Sequence, residues 1–142
     1  TGSKPLSYPL LVQPVLDKHC VRCHSGTKPK KGIVLTGEPQ GRYTRSYYAL
    51  APRAAYTAWG KPGGDFRQVN SEPLSRPGFF GARGSALMAM LLKGHNKVAL
   101  SPADLERLAT WMDANALFYG TFDPADQARQ LRGGTIAGPA LE

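Results

Sequence analysis

Both cysteines of this 142-residue chain lie in one pentapeptide, Cys20-Val21-Arg22-Cys23-His24. Two thiols three positions apart can each form a thioether with a vinyl group of one porphyrin, and the adjacent histidine then lies under the iron. The motif therefore predicts one covalently bound haem c, attached through Cys20 and Cys23, with His24 as the proximal iron ligand. A chain with this motif has to fold around a large planar group, which limits its architecture.

Closely spaced cysteines have three other common uses. A zinc site needs four ligands, and the chain contains five candidates: His19, Cys20, Cys23, His24 and His95. A thioredoxin-like dithiol needs a βαβ context, which the sequence does not show, and a Cys20–Cys23 disulfide is the third alternative. Haem is the favoured interpretation, because zinc would leave a loop-rich chain without a second nucleus for burial.

Glycine and proline are frequent, with 16 and 12 residues, which is too many for a compact helical bundle and predicts long ordered loops. Residues 51–84 show no periodic pattern, and loops of this length are uncommon unless they serve a site. A loop of this length could cover the edge of a haem. The predicted fold class is all-α: a helical domain with long Gly/Pro-rich loops around one covalent haem.

Four helices can be placed by their end signals. Residues 8–19 have roughly helical apolar spacing, with Pro14 indicating two short turns or a later start, and Thr44 opens a turn that runs to Leu50. Ser85 can cap a helix over 85–93, which Gly94 would end. The last of the four opens at Ser101 with a proline in its first turn.

The second iron ligand has to come from a few histidines and methionines. His19 directly precedes Cys20 and would struggle to reach the opposite face of the ring. His95 lies in a loop six residues before Ser101, where small cytochromes of the mitochondrial type carry their distal methionine. We therefore predict His95 as the distal ligand, with a surface histidine as the alternative reading. The fallback distal ligands are Met88 and Met90, although mid-helix methionines ordinarily fill space.

Ligation by two histidines predicts a low-spin, six-coordinate iron of lower potential than a His/Met iron. This favours an electron-transfer domain over oxygen or peroxide chemistry, which needs an open coordination position. The alternatives are a haem enzyme, either peroxidase-like or a module of an oxidoreductase, and a ligand-sensing haem domain with an exchangeable sixth position. No further catalytic motif stands out, and Asp104, Glu106, Asp113 and Asp123 resemble helix-surface charges.

The chain has a net charge of +8. Because Lys and Arg are spread along the chain, a generally basic soluble surface is the favoured interpretation, and steering toward an acidic redox partner, a polysaccharide or an anionic surface is the alternative. No nucleic-acid-binding motif accompanies the charge, and no stretch has the ~20 apolar residues of a membrane span. Haem c is attached outside the bacterial cytoplasm, so a periplasmic or secreted protein is expected. The start at Thr1 then looks like a processed or trimmed end of a longer parent.

Several segments resemble one family of cytochrome c domains. The segments are residues 12–24, 75–78, 81–85, 93–95, 100–104 and 111–120. They are similar to monohaem domains abundant in planctomycetes and related bacteria, including the haem domains of the hydrazine synthase alpha subunit and its homologues. The resemblance implies a cytochrome-c-like helical domain over residues 1–122 with an extension or tail at 123–142. It also implies a module of a larger exported redox protein, with His95 as the natural distal ligand, but not hydrazine synthesis.

Haem packing or propionate binding is expected from four aromatic or basic side chains in these loops. The candidates are Tyr48, Trp59, Arg76 and Arg83. Surface anchoring or core packing is the alternative for each. Arg83 is preferred among them because it opens the predicted helix over 85–93.

Overall fold

The computed structural model describes residues 4–55 and 77–138. The α-helices in these ranges are α1 (Tyr8–Leu11), α2 (Gln13–His19), α3 (Arg45–Leu50), α4 (Gly81–Gly84), α5 (Ala86–Lys93), α6 (Pro102–Asp113) and α7 (Pro124–Leu131). Strands β1 (Pro39–Gln40) and β2 (Tyr43–Thr44) pair antiparallel, and 3-10 turns lie at Lys30–Gly32 and Ala51–Arg53. The chain is therefore mostly helical, as predicted, but the short ribbon means that it is not purely α. Most of the predicted long loop lies outside the described residues.

The N-terminal helical segment is divided where its proline predicted. Val12 separates α1 from α2, and Pro14 lies in the first turn of α2, where a missing backbone N–H costs no hydrogen bond. Each alternative is therefore observed in part: α1 is a single short turn, and α2 is a helix that begins next to Pro14. Val12, Val15 and Leu16 are buried, so the apolar face of this segment packs into the core and leaves Cys20 at the end of α2.

Ser85 precedes α5 as predicted, but the prediction that its side chain caps this helix is wrong. Its hydroxyl donates to the carbonyl of Gly81 at 2.6 Å and accepts the N–H of Ala55 at 2.8 Å. It therefore joins two chain segments instead of capping α5. Gly94 ends the helix with φ of +99°, a conformation that favours glycine, as predicted.

Arg83 does not open α5. It lies in the separate helix α4, and Ser85 has the extended backbone conformation (φ −89°, ψ 130°) that divides the two helices. The side chain of Arg83 is exposed. The reason given for preferring it among the haem-packing candidates is therefore wrong.

Helix α6 has the N-terminus that the sequence predicts. The hydroxyl of Ser101 accepts the backbone N–H of Asp104 at 3.1 Å, and Pro102 lies in the first turn. Trp111 and Met112 on the inner face of α6 have no exposed surface. The predicted core role of Met112 is thus confirmed, since it lies in the hydrophobic cluster.

An aromatic cluster joins α1 to α6. The ring of Tyr8 lies 5.3 Å from both Trp111 and Phe118, centroid to centroid. Its hydroxyl donates to Ser46 at 3.1 Å, and Ser46 in turn donates to Gln13 at 2.6 Å. The buried polar atoms of this cluster are therefore satisfied, so that it combines apolar packing with a fixed hydrogen-bond network.

The C-terminal extension contributes helix α7, which Asp123 caps through the N–H of Asp126. Gln130 of this helix is 1% exposed. Its side-chain amide donates to the carbonyl of Leu6 at 3.1 Å and accepts the N–H of Gly120 at 3.0 Å. Residues of the extension thus pack on the domain, whereas the division of the chain at residue 122 stays a prediction. Within the described ranges no helix is long and apolar enough to cross a membrane.

Candidate functional site

The Cys-x-x-Cys-His motif continues α2 as a tight turn. The N–H of Cys20 donates to Leu16 at 2.8 Å, and the N–H groups of Cys23 and His24 both donate to the carbonyl of Cys20 at 3.1 Å. Cys20 is partly buried against the core, while Cys23 is exposed. The end of α2 therefore fixes the directions in which the two sulfurs and the imidazole leave the chain.

The Cys20 side chain has the character of an unreactive thiol. Burial, and to a smaller extent the neighbouring Cys23, raise the pKa of Cys20 to about 11. Both cysteines are free. Because the thiolate is the nucleophile in disulfide exchange, a thiol with a raised pKa disfavours the dithiol alternative.

The His24 ring is held by its own loop. Its Nδ1 lies 3.3 Å from the carbonyl oxygen of Ile33, and its backbone carbonyl accepts the N–H of Leu35 at 2.8 Å. A carbonyl can only accept, so Nδ1 is the protonated nitrogen and Nε2 keeps its lone pair. A backbone partner of this kind fixes the tautomer and ring direction of metal-binding histidines.

His95 lies at the first position of a two-residue hairpin turn. Asn96 and Lys97 have φ of 48° and 61°, and the N–H of Val98 donates to the carbonyl of His95 at 2.9 Å. Positive φ at both central residues is the pattern of a type I′ turn, in which asparagine is a favoured residue. His95 therefore lies in the short connection between α5 and α6, which this turn and its hydrogen bond hold in place.

The two histidines meet in the structure. The ring centroids of His24 and His95 lie 6.2 Å apart, with 18° between the ring planes. Bonds between a metal and an imidazole nitrogen are about 2 Å long, so two imidazoles on opposite sides of one ion have centroids about 6 Å apart. The observed centroid distance is therefore close to that expected for two imidazoles on one metal ion. A porphyrin would supply four further nitrogens, and the two imidazoles would then complete the six ligands of its iron.

The other ligand candidates lie in different surroundings. Met88 is buried in the hydrophobic cluster, and Met90 is 38% exposed. His19 is bound elsewhere, since its Nε2 lies 2.8 Å from a carboxylate oxygen of Asp104. Among the described residues, which include all five zinc candidates, no three His, Cys, Asp or Glu side chains form a metal-binding group. The zinc alternative thus gains no support.

The sequence analysis missed the part of Asp104, which it treated as a surface charge. Its side chain is 11% exposed and accepts hydrogen bonds from His19 at 2.8 Å and from Lys18 at 3.0 Å. The two partners directly precede Cys20, so Asp104 ties the end of α2 to the start of α6. In the sequence, the Ser101 cap places Asp104 in the first turn of α6. It does not indicate which other segment this turn contacts.

Replacing Asp104 with asparagine is expected to lower the free energy of unfolding at neutral pH but much less in acid. Hydrogen bonds from His19, then from Lys18 and Ser101, hold the pKa of this carboxyl well below its usual range. A depressed folded-state pKa stabilises the fold above the unfolded-state pKa of about 4, and this contribution is lost as the pH falls below that value. Urea unfolding of both proteins between pH 7 and pH 2 measures it.

The exposed Glu106 on the same helix is the control for this titration. The Glu106→Gln variant should follow the wild type at every pH, because this carboxyl has no hydrogen-bond or ion-pair partner among the described residues. An Asp104→Asn effect of the same size at pH 7 and pH 2 would show that the ion pairs are not its cause.

Of the four candidates for haem packing or propionate binding, two lie among the described residues and two do not. Tyr48 is 45% exposed on α3, and its ring lies 5.5 Å from that of Tyr43 in an edge-to-face contact. Arg83 is exposed on α4. Trp59 and Arg76 lie outside the described residues. Contact of any of these four with a haem stays a prediction.

Comparisons with models of protein families, with curated proteins and with solved structures gave no match to this chain. The case for function therefore depends on the geometry of the motif and of the two histidines.

Proposed function

We propose that this chain is a monohaem c-type cytochrome that serves as an electron-transfer domain and is one module of an exported redox protein. The observation that carries the proposal is the meeting of His24 and His95 at 6.2 Å. One histidine belongs to a haem-attachment motif and the other to a separate turn of the fold. An axial pair on one iron is the simplest chemical reason for such a pair.

Each residue of the site has a defined part in this proposal. Cys20 and Cys23 would hold a porphyrin by thioether bonds, and His24 and His95 would bind its iron. The carbonyl of Ile33 accepts the Nδ1 proton of His24 at 3.3 Å and keeps its Nε2 free to bind. A haem held by these residues would supply one-electron redox chemistry, and the two imidazoles would leave no open position for a substrate. The protein's task is then to fix two rings and exclude a third ligand.

A cytochrome-c-like fold and kinship with the planctomycete domains belong to the same proposal. The attachment helix α2 and its neighbour α1 pack against α6, with Tyr8 and Trp111 in contact at 5.3 Å. The Asp104 ion pairs join α6 to the residues just before Cys20. An N-terminal attachment helix packed on a later helix supports this fold, and the export that haem attachment requires supports a periplasmic or secreted location.

A ligand-sensing haem domain is the second candidate, because one contact favours an exchangeable sixth position. The side-chain amide of Asn96 lies 3.3 Å from Nε2 of His95. An amide N–H that donates to this nitrogen competes with iron for the same lone pair. Weakened ligation by His95 would open the distal position to a small gas molecule.

Covalent attachment of one haem is the first test of the proposed function. We expect the chain, exported in a host with c-type haem maturation, to keep one haem per polypeptide after denaturation. It should also show a reversible one-electron wave in voltammetry. The Cys20→Ala/Cys23→Ala double variant should lose the haem on denaturation, since both thioether bonds are absent. Haem staining of denaturing gels and intact mass measure this.

The exposed Thr27→Ala in the same loop is the matched control and should keep its haem. A purified wild-type chain that carries one zinc ion and no haem would refute the proposed function.

A further inference from the structure

An open groove of about 610 Å³ lies between the N-terminal residues, helix α6 and the C-terminal tail. Its apolar lining residues are Pro5, Leu6, Leu10, Leu11 and Ile136. Sites for small molecules are commonly clefts of about 300–1,000 Å³ with mostly apolar walls and a few polar groups. The groove has this size and this kind of lining, and none of its lining residues belongs to the candidate haem site.

Hydrogen bonds hold the walls of the groove in place. The side-chain amide of Gln130 on α7 donates to the carbonyl of Leu6 at 3.1 Å and accepts the N–H of Gly120 at 3.0 Å. The N–H of Tyr8 donates to the carbonyl of Phe118 at 3.1 Å. The N-terminal segment that forms one wall is thus fixed on the rest of the domain, so the groove is formed before any ligand binds.

One wall contains a buried polar atom without a partner. Ser7 lines the groove and is 4% exposed. Its hydroxyl oxygen is buried and forms no hydrogen bond with any described residue, nor with helix α1, which it directly precedes. Buried polar groups in proteins are nearly always hydrogen-bonded. Ser7 therefore indicates a position at which a bound molecule would supply the missing partner.

The charges at the groove are positive. Lys4 lines it, is exposed and has no ion-pair partner within the described part of the chain. The guanidinium of Arg107 lies at its edge, where it donates to the carbonyl of Leu10 at 3.3 Å. The lining residues that the structure describes include no Asp or Glu. This distribution favours an anion whose apolar part lies against the walls.

We propose that the groove binds a small organic acid, which has one carboxylate on a compact apolar body such as a phenyl or branched alkyl group. The carboxylate would accept hydrogen bonds from the Ser7 hydroxyl and the Lys4 ammonium, and the apolar body would lie against Leu10, Leu11 and Ile136. A carboxylate suits these two groups because it only accepts hydrogen bonds and both of them donate. The proposal does not depend on the haem, since the two sites share no residue.

The test titrates the haem-loaded protein with three compounds that share one apolar body: 4-phenylbutanoate, 4-phenylbutan-1-ol and 4-phenylbutylammonium. Backbone amide NMR shifts report the affinity and the site. We expect the acid to bind once, with a dissociation constant below about 1 mM and with shifts concentrated at Leu6, Ser7 and Leu11. The alcohol should bind at least about fivefold more weakly, and the ammonium compound more weakly still, because Lys4 repels it.

Four variants locate the contacts. Ser7→Ala should weaken binding of the acid at least about fivefold without lowering the free energy of unfolding, because it removes a buried group that has no partner. Lys4→Gln should also weaken binding, whereas Lys28→Gln changes an exposed lysine that does not line the groove and should have no effect. Thr110→Trp, at an exposed position of α6 in the groove wall, should block binding.

Several results would overturn the proposal. Absence of binding at about ten times the expected dissociation constant would exclude the site, as would shifts confined to residues outside the groove. Equal affinity for the acid and the alcohol would exclude recognition of a carboxylate. Loss of stability together with binding in Ser7→Ala would show that Ser7 is a structural residue and not a ligand contact. Stronger binding to phosphatidylglycerol vesicles than to the free acid would exclude a small molecule as the ligand.

Discussion

The His95→Ala variant of the haem-loaded protein is expected to change from low-spin, six-coordinate iron to high-spin iron and to bind carbon monoxide in the ferrous state. The reason is that the His95 ring, 6.2 Å from that of His24, is the only second imidazole that the structure brings to the site among the residues it describes. Loss of a strong-field axial ligand opens the sixth position. Visible absorption and electron paramagnetic resonance spectra in both oxidation states measure the change.

Two variants sharpen this test. His95→Met should stay low-spin while its reduction potential rises, by a measurable part of the ~0.8 V range that axial ligands span, because a thioether favours the ferrous state. Asn96→Ala separates the two candidate functions. For an electron carrier it should leave the wild-type spectrum unchanged. For a sensor, wild type should already bind carbon monoxide, and the variant should bind it more weakly. A low-spin His95→Ala protein would refute ligation by His95.

Replacing Trp111 with alanine is expected to lower the free energy of unfolding by about 3–5 kcal/mol, the usual loss for a buried aromatic side chain. Trp111 has no exposed surface, packs on Tyr8 at 5.3 Å and donates its ring N–H to the carbonyl of Leu117 at 3.1 Å. The substitution would leave a cavity between α1 and α6 and an unpaired carbonyl. Guanidinium chloride unfolding of the haem-loaded protein, followed by circular dichroism, measures the loss.

Two aromatic substitutions control for this effect. Trp111→Phe keeps part of the packing but loses the hydrogen bond, so a smaller loss of about 1–2 kcal/mol is expected. Phe122→Ala removes a fully exposed ring and should change the unfolding free energy by no more than about 0.5 kcal/mol. Equal losses for Trp111→Ala and Phe122→Ala would show that Trp111 is not the centre of the core.

The helix ends show how far local sequence signals reach. Thr44 accepts the N–H of Tyr47, and Ser101 that of Asp104, as the cap residues predicted. Ser85 is the same kind of residue in the same kind of position, yet its hydroxyl binds Gly81 and Ala55. A serine hydroxyl can bind other groups that the fold brings near instead of a helix N–H. The local sequence does not show which of these partners it will bind.

At the candidate site, too, some features follow from local sequence and others only from the fold. Cys20, Cys23 and His24 lie within five residues, so their spacing alone leads to the hypothesis of a haem-attachment motif. The choice among His95, Met88 and Met90 could only be argued by analogy, because these residues lie far along the chain from His24. The structure places the His95 ring beside His24 and Met88 in the core. The Ile33 carbonyl lies 3.3 Å from Nδ1 of His24, a backbone contact that the spacing of the motif does not predict.

The sequence by itself determined the Cys-x-x-Cys-His motif, most of the helix ends and the excess of positive charge, because these depend on residues that are neighbours in the chain or on composition. Only the tertiary structure decided that the His95 ring lies near that of His24, and that Asp104 pairs with Lys18 and His19 across 86 and 85 residues. Contacts between distant segments depend on how the helices pack. A sequence pattern records which face of each helix is apolar, but not which other face it will meet.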